Sequence, residues 1–414
     1  MRFCRNYLAG AVIREQCVID SDNKSSSSIY AKAYYSWPTD FGRAYVVDLD
    51  ALKGTLAWET IFATRKKSHL RLEIVDETIT QEFTYRYLVM EDIHGRVRGI
   101  QPFFLLRQDL LGGKGENKLV SAIRVLLPRF LTLKTLMVGS TVGEGFLGAQ
   151  PADADWCARA LCSSLMQCAA KFNTSLIVMK EFPNYLRPVL AHFLDKDYSR
   201  IPSMPYTVLD LKFSDFEEYM QTRLSHSFRK NLRRKFKKTQ ELPITMEVVT
   251  DITSYIDELY PLYLQVYERA TLRFEKLTKE YLCRIGNTLP TDARFFMWRQ
   301  NGRAIAFSVC SLHENALWDE YIGMDYAVAL NQHLYFVTFR DLINWCCSNG
   351  ISRYYSTALN YDPKLHLKFE LAPMDLYVRH TNSAFNRIFK LLLPLLDPTR
   401  NDAILMKYPN ANEL

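Results

Sequence analysis

The sequence predicts a mixed α/β (α+β) fold in two similar units, each with a mostly antiparallel central sheet flanked by helices. Three observations support this. The chain has 414 residues, enough for two or three domains with sizeable cores. Apolar residues make up 48% and charged residues 23%, as in ordinary globular proteins. Strand-like and helix-like stretches also follow one another in a similar order in the two halves.

In the first half, a helix at 50–64 precedes a candidate hairpin. The hairpin joins strands 85–91 and 97–107 through the turn at 92–95, and a strand region broken by glycines covers 133–147. The elements that follow are predicted in the order helix 153–171, strand 175–180, helix 185–194 and strand 206–211.

The second half repeats this order around a three-stranded meander. The meander strands are 294–300, 303–312 and 316–323. The other predicted elements are strands 246–250, 351–356 and 374–380 and helices 253–270, 277–287, 334–349 and 384–395. We therefore expect an internal structural duplication. The expected parts are a weakly ordered segment 1–43, a first unit 44–205, a second unit 206–400 and a tail 401–414.

Residues 223–238 carry eight Lys or Arg side chains and no acid. The chain has 52 basic and 45 acidic residues, so removing these eight leaves 44 against 45 and the rest is near neutral. Leu224, Phe228, Leu232 and Phe236 recur every four residues, which predicts an amphipathic helix. Such a helix attracts anionic ligands, although a purely solvated surface helix fits the pattern too.

Cysteine and hydropathy patterns bear on the compartment. The nine cysteines include no Cys-x-x-Cys pair, which is typical of a reducing cytoplasm. No apolar run reaches 18 residues, so no transmembrane segment is expected. The histidines lack metal-ligand spacing, and we expect no metal. The expected location is the cytoplasm, with peripheral attachment to the inner face of the membrane left open.

Four segments resemble a known family of transferases. They are 205–211, 224–238, Glu-Tyr-Ile-Gly-Met-Asp-Tyr at 320–326, and Tyr-Asp-Pro-Lys at 361–364. With the element order, they resemble tandem Gcn5-related N-acetyltransferase (GNAT) folds, as in FemAB-type peptidoglycan-bridge transferases and BioF2-like acyltransferases, over roughly 44–395. The resemblance implies two fused GNAT-like acyl-CoA N-acyltransferase units. It is incomplete, because residues 329–334 lack the glycines of the coenzyme loop and Lys368 replaces a small residue.

The resemblance implies where acyl transfer takes place. Attack of an amine on a thioester needs a base, a donor for the oxyanion and a proton for the leaving thiolate. Glu320 and Tyr321 lie at the end of the fourth strand of the second unit, so we expect Glu320 as the base and Tyr321 as the acid. Strand alternation predicts Glu320 on one face and Asp319 with Tyr321 on the other. A core tyrosine and a solvated edge carboxylate are the alternative.

The resemblance also implies binding residues. Asn331, Gln332 and His333 precede a helix N-terminus, where coenzyme phosphates would lie, although simple capping by Asn331 is an alternative. Residues expected to bind the substrate are Arg229, Arg233, Tyr361 and Lys364, the last on a loop where it is otherwise merely solvated. The glycine-rich stretch 139–150 is expected to line a ligand cleft, and a plain turn cluster explains it as well.

The predicted function is N-acyl transfer from a coenzyme A or carrier-protein thioester to an amine of a small molecule or peptide. The thioester is a co-substrate, acyl carrier protein is a candidate partner, and no permanently bound cofactor is expected. One alternative is an aminoacyl-tRNA-dependent FemAB-type transferase acting on a cell-wall precursor. Its long helical hairpin has no room between 270 and 294. The other is a non-catalytic module that binds nucleic acid or an anionic surface. Nucleic acid is disfavoured because Phe228 and Phe236 share the stripe with leucines.

Overall fold

The computed structural model of the chain describes residues 27–63, 66–109, 132–239, 243–270, 272–397, 399–400 and 402–414. The chain divides into two compact units. The first unit comprises the residues up to Asp76 together with Thr80–Ile201 and Leu376–Pro394. The second unit comprises Glu77–Ile79, Pro202–Asp375 and Leu395–Leu414.

The strands and helices are numbered in chain order. The strands are β1 Tyr35–Thr39, β2 Gly42–Val47, β3 Thr84–Asp92, β4 Val97–Asp109, β5 Thr132–Val138, β6 Leu176–Pro183, β7 Ser199–Asp210, β8 Ile244–Val249, β9 Ala293–Gln300, β10 Arg303–His313, β11 Ala316–Met324, β12 Arg353–Ser356 and β13 Glu370–His380. The helices are α1 Leu56–Phe62, α2 His69–Thr78, α3 Ala154–Lys171, α4 Arg187–Asp195, α5 Phe216–Arg223, α6 His226–Thr239, α7 Ile256–Arg269, α8 Lys279–Thr288, α9 Tyr326–Ala329, α10 Leu334–Ser348, α11 Tyr361–His366 and α12 Ser383–Leu396.

Both units use the same order of strand pairing. In the first, β1 to β5 pair antiparallel in sequence, and β6 lies parallel to β5 after helix α3. In the second, β8 to β11 pair antiparallel, and β12 lies parallel to β11 after helix α10. The predicted fold class is therefore confirmed: mixed α/β units with mostly antiparallel sheets flanked by helices. An origin by duplication stays a prediction.

The structure differs from the sequence prediction near the N-terminus. Residues 1–26 of the segment predicted as weakly ordered lie outside the described residues, but β1 falls within that segment and pairs with β2. The helix predicted at 50–64 begins only at Leu56, because Gly54 takes a left-handed φ of +70° and Thr55 then caps the helix. Helix α2 was missed, since its apolar and polar residues do not segregate to opposite sides.

The basic segment forms helix α6, as its periodicity predicted. Its apolar stripe packs into the core of the second unit, where Leu232 is fully buried and Phe236 is 9% exposed. The Phe228 ring lies 6.4 Å from that of Phe336 on α10. Lys230 and Arg234 on the other side of α6 are exposed. The stripe therefore fixes the helix and leaves Lys230 and Arg234 in solvent.

Replacing Leu232 by Ala should lower the free energy of unfolding by about 2–5 kcal/mol, because it removes fully buried methyl groups from a packed core. The matched change Lys230→Ala, on the exposed side of the same helix, should stay within about 0.5 kcal/mol. Urea unfolding of both variants measures the difference. Equal effects would show that the stripe does not anchor α6.

Candidate active site

In the second unit, strands β11 and β12 run side by side and then part. Their pairing extends from Ala316 opposite Arg353 to Asp319 opposite Ser356. The Thr357 amide then donates to the Asp319 carbonyl at 3.3 Å. Strand β12 ends there, whereas β11 continues to Met324 along β10. The edge of β11 beyond Asp319 is therefore released from strand pairing with β12, although the Thr357 hydroxyl still donates to the Glu320 carbonyl at 3.4 Å.

A β-bulge lies at the point where the two strands part. Val309 of β10 stands opposite Tyr321, and the next residue, Cys310, stands opposite Asp319, so Glu320 is the extra residue. Tyr321 therefore shares the face of Val309 and Ser311, and the Ser311 hydroxyl donates to Glu320 Oε1 at 2.8 Å. Asp319 takes the opposite face with Cys310.

The bulge corrects the faces predicted from simple alternation. That alternation put Asp319 with Tyr321 and separated Glu320 from both. One extra residue shifts the two-residue period by one position, so Glu320 and Tyr321 share a face and Asp319 is alone. The candidate base and the candidate acid are thereby brought together.

The hydroxyl of Tyr321 donates to the carboxylate of Glu275, which lies between helices α7 and α8. Burial raises the pKa of Tyr321 well above its ordinary value, and the Glu275 charge adds to this effect. The phenol therefore stays protonated at any physiological pH. Its proton is donated to Glu275, and a role for Tyr321 toward a substrate stays a prediction.

The opposite face of β11 holds a buried polar cluster around Asp319. Its carboxylate accepts a hydrogen bond from the Tyr354 hydroxyl at 2.6 Å, and the Cys310 thiol lies 3.6 Å from the other oxygen. Burial raises the pKa of the Asp319 carboxyl, against the opposing hydrogen bond from Tyr354 and the charge of Lys364. This cluster packs inside the unit and leaves the other face to Glu320 and Tyr321.

Lys364 was expected on a loop but lies in helix α11, and at 4% exposure it is not the solvated side chain of the alternative. Its Nζ donates to the main-chain carbonyls of Thr357 and Leu359. Burial lowers the pKa of Lys364 to about 7, and the nearby Asp319 charge opposes that shift. The side chain ties down the segment that follows β12, and a role in binding a substrate anion stays a prediction.

Tyr361 was expected to bind substrate, but its side chain is buried. Its hydroxyl donates to the Pro205 carbonyl at 2.8 Å, and its own carbonyl accepts from the Tyr408 hydroxyl at 2.7 Å. The phenol proton therefore forms a hydrogen bond that links α11 to β7. Tyr361 supports the fold of the second unit.

The three residues predicted at a helix N-terminus do precede α10. His333 takes a left-handed φ of 50° immediately before Leu334, and no side chain caps the helix there, so capping by Asn331 is not found. Gln332 and Gln300 exchange two amide hydrogen bonds, at 2.8 and 3.1 Å. Asn331 is exposed. Coenzyme binding by these residues stays a prediction.

Two of the arginines of α6, Arg229 and Arg233, make contacts within the second unit. Arg229 donates to the carbonyls of Gln221 and Leu224, at 2.8 and 3.2 Å, at the end of helix α5. Arg233 forms an exposed ion pair with Glu217. Arg229 thus stabilises a helix C-terminus, where a cation is favourable, and Arg233 is held only by a solvated partner.

The stretch 139–150 of the first unit is nearly all buried. Gly145 donates to the Glu181 carbonyl at 2.9 Å, and a Cβ on Gly145 or Gly148 would collide with neighbouring main chain. Lys67 and Lys180 donate to its carbonyls. Although burial opposes it, charges from lysines lower the pKa of Glu144 to about 2. The glycines allow neighbouring main chain of the protein itself to approach closely. A role of this stretch in lining a ligand cleft stays a prediction.

Glu275 and Ser311 contact the two candidate catalytic residues and were not predicted from the sequence. Glu275 precedes Tyr321 by 46 residues, so only the tertiary fold brings them together. Among the described residues, no group of three or more His, Cys, Asp or Glu side chains is placed to hold a metal ion. No described helix has both the length and the apolarity needed to span a bilayer.

Residues 226–364 match the sequence model of a family described as Acetyltransferase (GNAT) domain. The chain carries a GNAT domain. The match covers α6 to α11, including the bulge of β11 and the end of β12. It confirms the GNAT resemblance and the predicted enzyme class, an acyltransferase.

Several solved structures resemble the chain at low identity. A C-terminal domain (DUF2156) from Agrobacterium fabrum, provisionally assigned to a lysylphosphatidylglycerol synthetase, is 13% identical, with 82% of this chain and 94% of that one covered and a TM-score of 0.49. A tandem GNAT protein of clavulanic acid biosynthesis is 12% identical, covering 82% and 99%, at 0.44. FemX is 9% identical, covering 89% and 98%, at 0.46. No curated protein matches the sequence. Likenesses of this size do not identify a function.

The buried ammonium of Lys364 predicts a specific pH dependence. Between its folded pKa of about 7 and its ordinary value of 10.5, the folded chain binds fewer protons at this site than the unfolded chain. The free energy of unfolding contributed by Lys364 therefore rises with pH in this window, by up to about 1.4 kcal/mol per unit. The stability difference between wild type and Lys364→Met should grow in favour of wild type from pH 7 to 9. Lys368 is an exposed lysine in the same segment, and the stability difference between wild type and Lys368→Met should not change with pH. If the stability difference between wild type and Lys364→Met does not change with pH, Lys364 keeps its charge in the folded chain.

Arg233→Ala should change the free energy of unfolding by less than about 1 kcal/mol, because its ion pair with Glu217 is exposed. Arg229→Ala should lower the free energy of unfolding by about 1 kcal/mol through the lost contacts at the end of α5.

If Arg233 also binds an anionic group of a substrate, kcat/KM falls roughly ten- to a hundredfold in Arg233→Ala, with little loss of stability. Arg234→Ala, exposed on the same helix, is the control. Equal kinetics for both variants would exclude a ligand role for Arg233.

Proposed function

We propose that the protein is an N-acyltransferase that moves an acyl group from a coenzyme A or carrier-protein thioester to an amine of a small molecule or peptide. The observation that carries this proposal lies inside the segment that matches the GNAT family. There the edge of β11 is released from β12, and a bulge brings Glu320 and Tyr321 to one face.

In the proposed reaction the thioester lies along the released edge of β11. The amine nitrogen attacks the thioester carbonyl, the C–N bond forms, the C–S bond breaks and the coenzyme leaves as a thiolate. Glu320 accepts the proton that the amine loses, and the hydrogen bond from Ser311 orients its carboxylate. The thiolate then takes a proton from solvent.

The proposed role of Tyr321 is hydrogen-bond donation to the leaving sulfur. Its raised pKa makes complete proton transfer to a thiolate unfavourable, since a thiolate is a weaker base than this tyrosinate. A donor that keeps its proton still stabilises the charge that develops on sulfur. Glu275 holds the hydroxyl until the thioester binds.

Aminoacyl transfer from tRNA is the competing proposal, in which cationic side chains such as Arg233 grip the pyrophosphate of a cell-wall precursor. The structure favours the thioester donor in one respect. Helices α7 and α8 are joined by residues 270–278, which leave no space for an inserted helical hairpin. Transfer of a labelled amino acid from charged tRNA to such a precursor would support this alternative.

The donor can be tested directly. A panel of acyl-coenzyme A thioesters and acyl carrier proteins is added to the protein, and the midpoint of thermal unfolding is followed, because a ligand of the native state raises it. Release of free thiol on adding a mixture of primary amines then reports transfer. If no thioester shifts the midpoint or releases thiol, the proposed donor is wrong.

Glu320→Gln should lower kcat/KM about 10²- to 10⁴-fold, because the amide cannot accept the proton of the amine. Its midpoint of unfolding should stay close to that of wild type, since Gln can still accept the hydrogen bond from Ser311. Glu280→Gln, a 65% exposed carboxylate on α8, should leave kinetics unchanged. Wild-type kinetics for Glu320→Gln would exclude Glu320 as the base.

A further inference from the structure

Helix α12 presents an apolar stripe to solvent. Phe385, Ile388 and Leu391 recur every three residues and are 61%, 56% and 78% exposed. Neighbours three apart lie on one side of a helix, so the three side chains form one continuous strip. Single exposed apolar residues need no explanation, but a strip along a helix marks an interaction surface.

The other side of α12 fixes the helix to the first unit. Asn386, 4% exposed, accepts from the His380 amide at 2.9 Å and donates to the Asp197 carbonyl at 3.0 Å. Leu393 is 3% exposed. Asn382 caps the helix by accepting from the amides of Ala384 and Phe385. The apolar strip is therefore held outward by well-defined contacts on the opposite side.

The charges of α12 indicate what covers the strip. The helix contains Arg387 and Lys390 and no acidic residue. Arg387 is exposed beside the strip, and Lys390 pairs with Asp197 at 2.9 Å. A second copy of the same face would bring like charges together. An anionic lipid surface complements both features, because the apolar side chains enter the acyl boundary while Arg387 meets the headgroups.

We propose that α12 is a docking helix that lies on an anionic lipid bilayer, with Phe385, Ile388 and Leu391 inserted at the level of the headgroups. This surface does not depend on the proposed reaction. It would place the enzyme beside substrates that are held in or near a membrane.

The test uses the full chain and sedimenting vesicles of phosphatidylcholine with or without roughly one third phosphatidylglycerol, an anionic lipid that attracts cationic side chains. Wild type should bind the anionic vesicles, and more weakly at high salt. Replacing Phe385, Ile388 and Leu391 together by Ser should lower the partition coefficient at least about tenfold. Arg387→Ala should lower it about fivefold at low salt. Ile93→Ser, a 77% exposed apolar residue on the β3–β4 turn, should have no effect.

Circular dichroism and the unfolding midpoint verify that each variant is folded. Failure of wild type to bind either vesicle overturns the proposal, as does unchanged binding of the triple variant. A wild type that is dimeric by light scattering, with a monomeric triple variant, would show that a second copy covers the strip and would also overturn it. Vesicle binding without thioester transfer would contradict the proposed function and leave the docking helix standing.

Discussion

The candidate site depends on one irregularity of hydrogen bonding, the bulge of β11 at Glu320. The extra residue falls directly after Asp319, the last residue of β11 paired with β12. Without it, the two-residue period would turn Tyr321 to the face of Asp319, inside the polar cluster. With it, a carboxylate and a phenol share one face beside a strand edge that has lost its neighbour. A single inserted residue thus decides which side chains can meet a substrate.

The opposite face stabilises this arrangement at a cost in desolvation. Lys364 is buried and Asp319 is half-buried, and desolvation disfavours the charged form of each. The lysine is satisfied by the carbonyls of Thr357 and Leu359, and the carboxylate by the hydroxyl of Tyr354. The bonds from Lys364 tie down the segment that follows β12. The point where β12 stops pairing with β11 therefore lies beside a buried polar network.

The sequence predicted the parts that rest on local patterns. The meander of β9 to β11, the helix α10 and the apolar stripe of α6 follow from periodicity and turn residues, and the structure has them all. The bulge was not predictable, because no residue type marks it. The pairing of Tyr321 with Glu275 was missed because it depends on the packing of distant segments. Lys364 and Tyr361 were identified as special, but burial reversed the expected environment of both.

The same strand order gives a different result in the first unit. There β5 and β6 pair in parallel up to Val138 and Met179 and then part, but the strand that continues is β6, the equivalent of β12. The chain after β5 turns back at once, so that Gly145 donates to Glu181 on the continuing strand β6 and Lys180 holds the carbonyl of Gly143. Glycine makes this close approach feasible, because a Cβ at 145 would meet the backbone of Lys180. The protein's own main chain therefore bonds the continuing strand in the first unit, whereas in the second unit β12 no longer pairs with the continuing strand, and the candidate chemistry lies there.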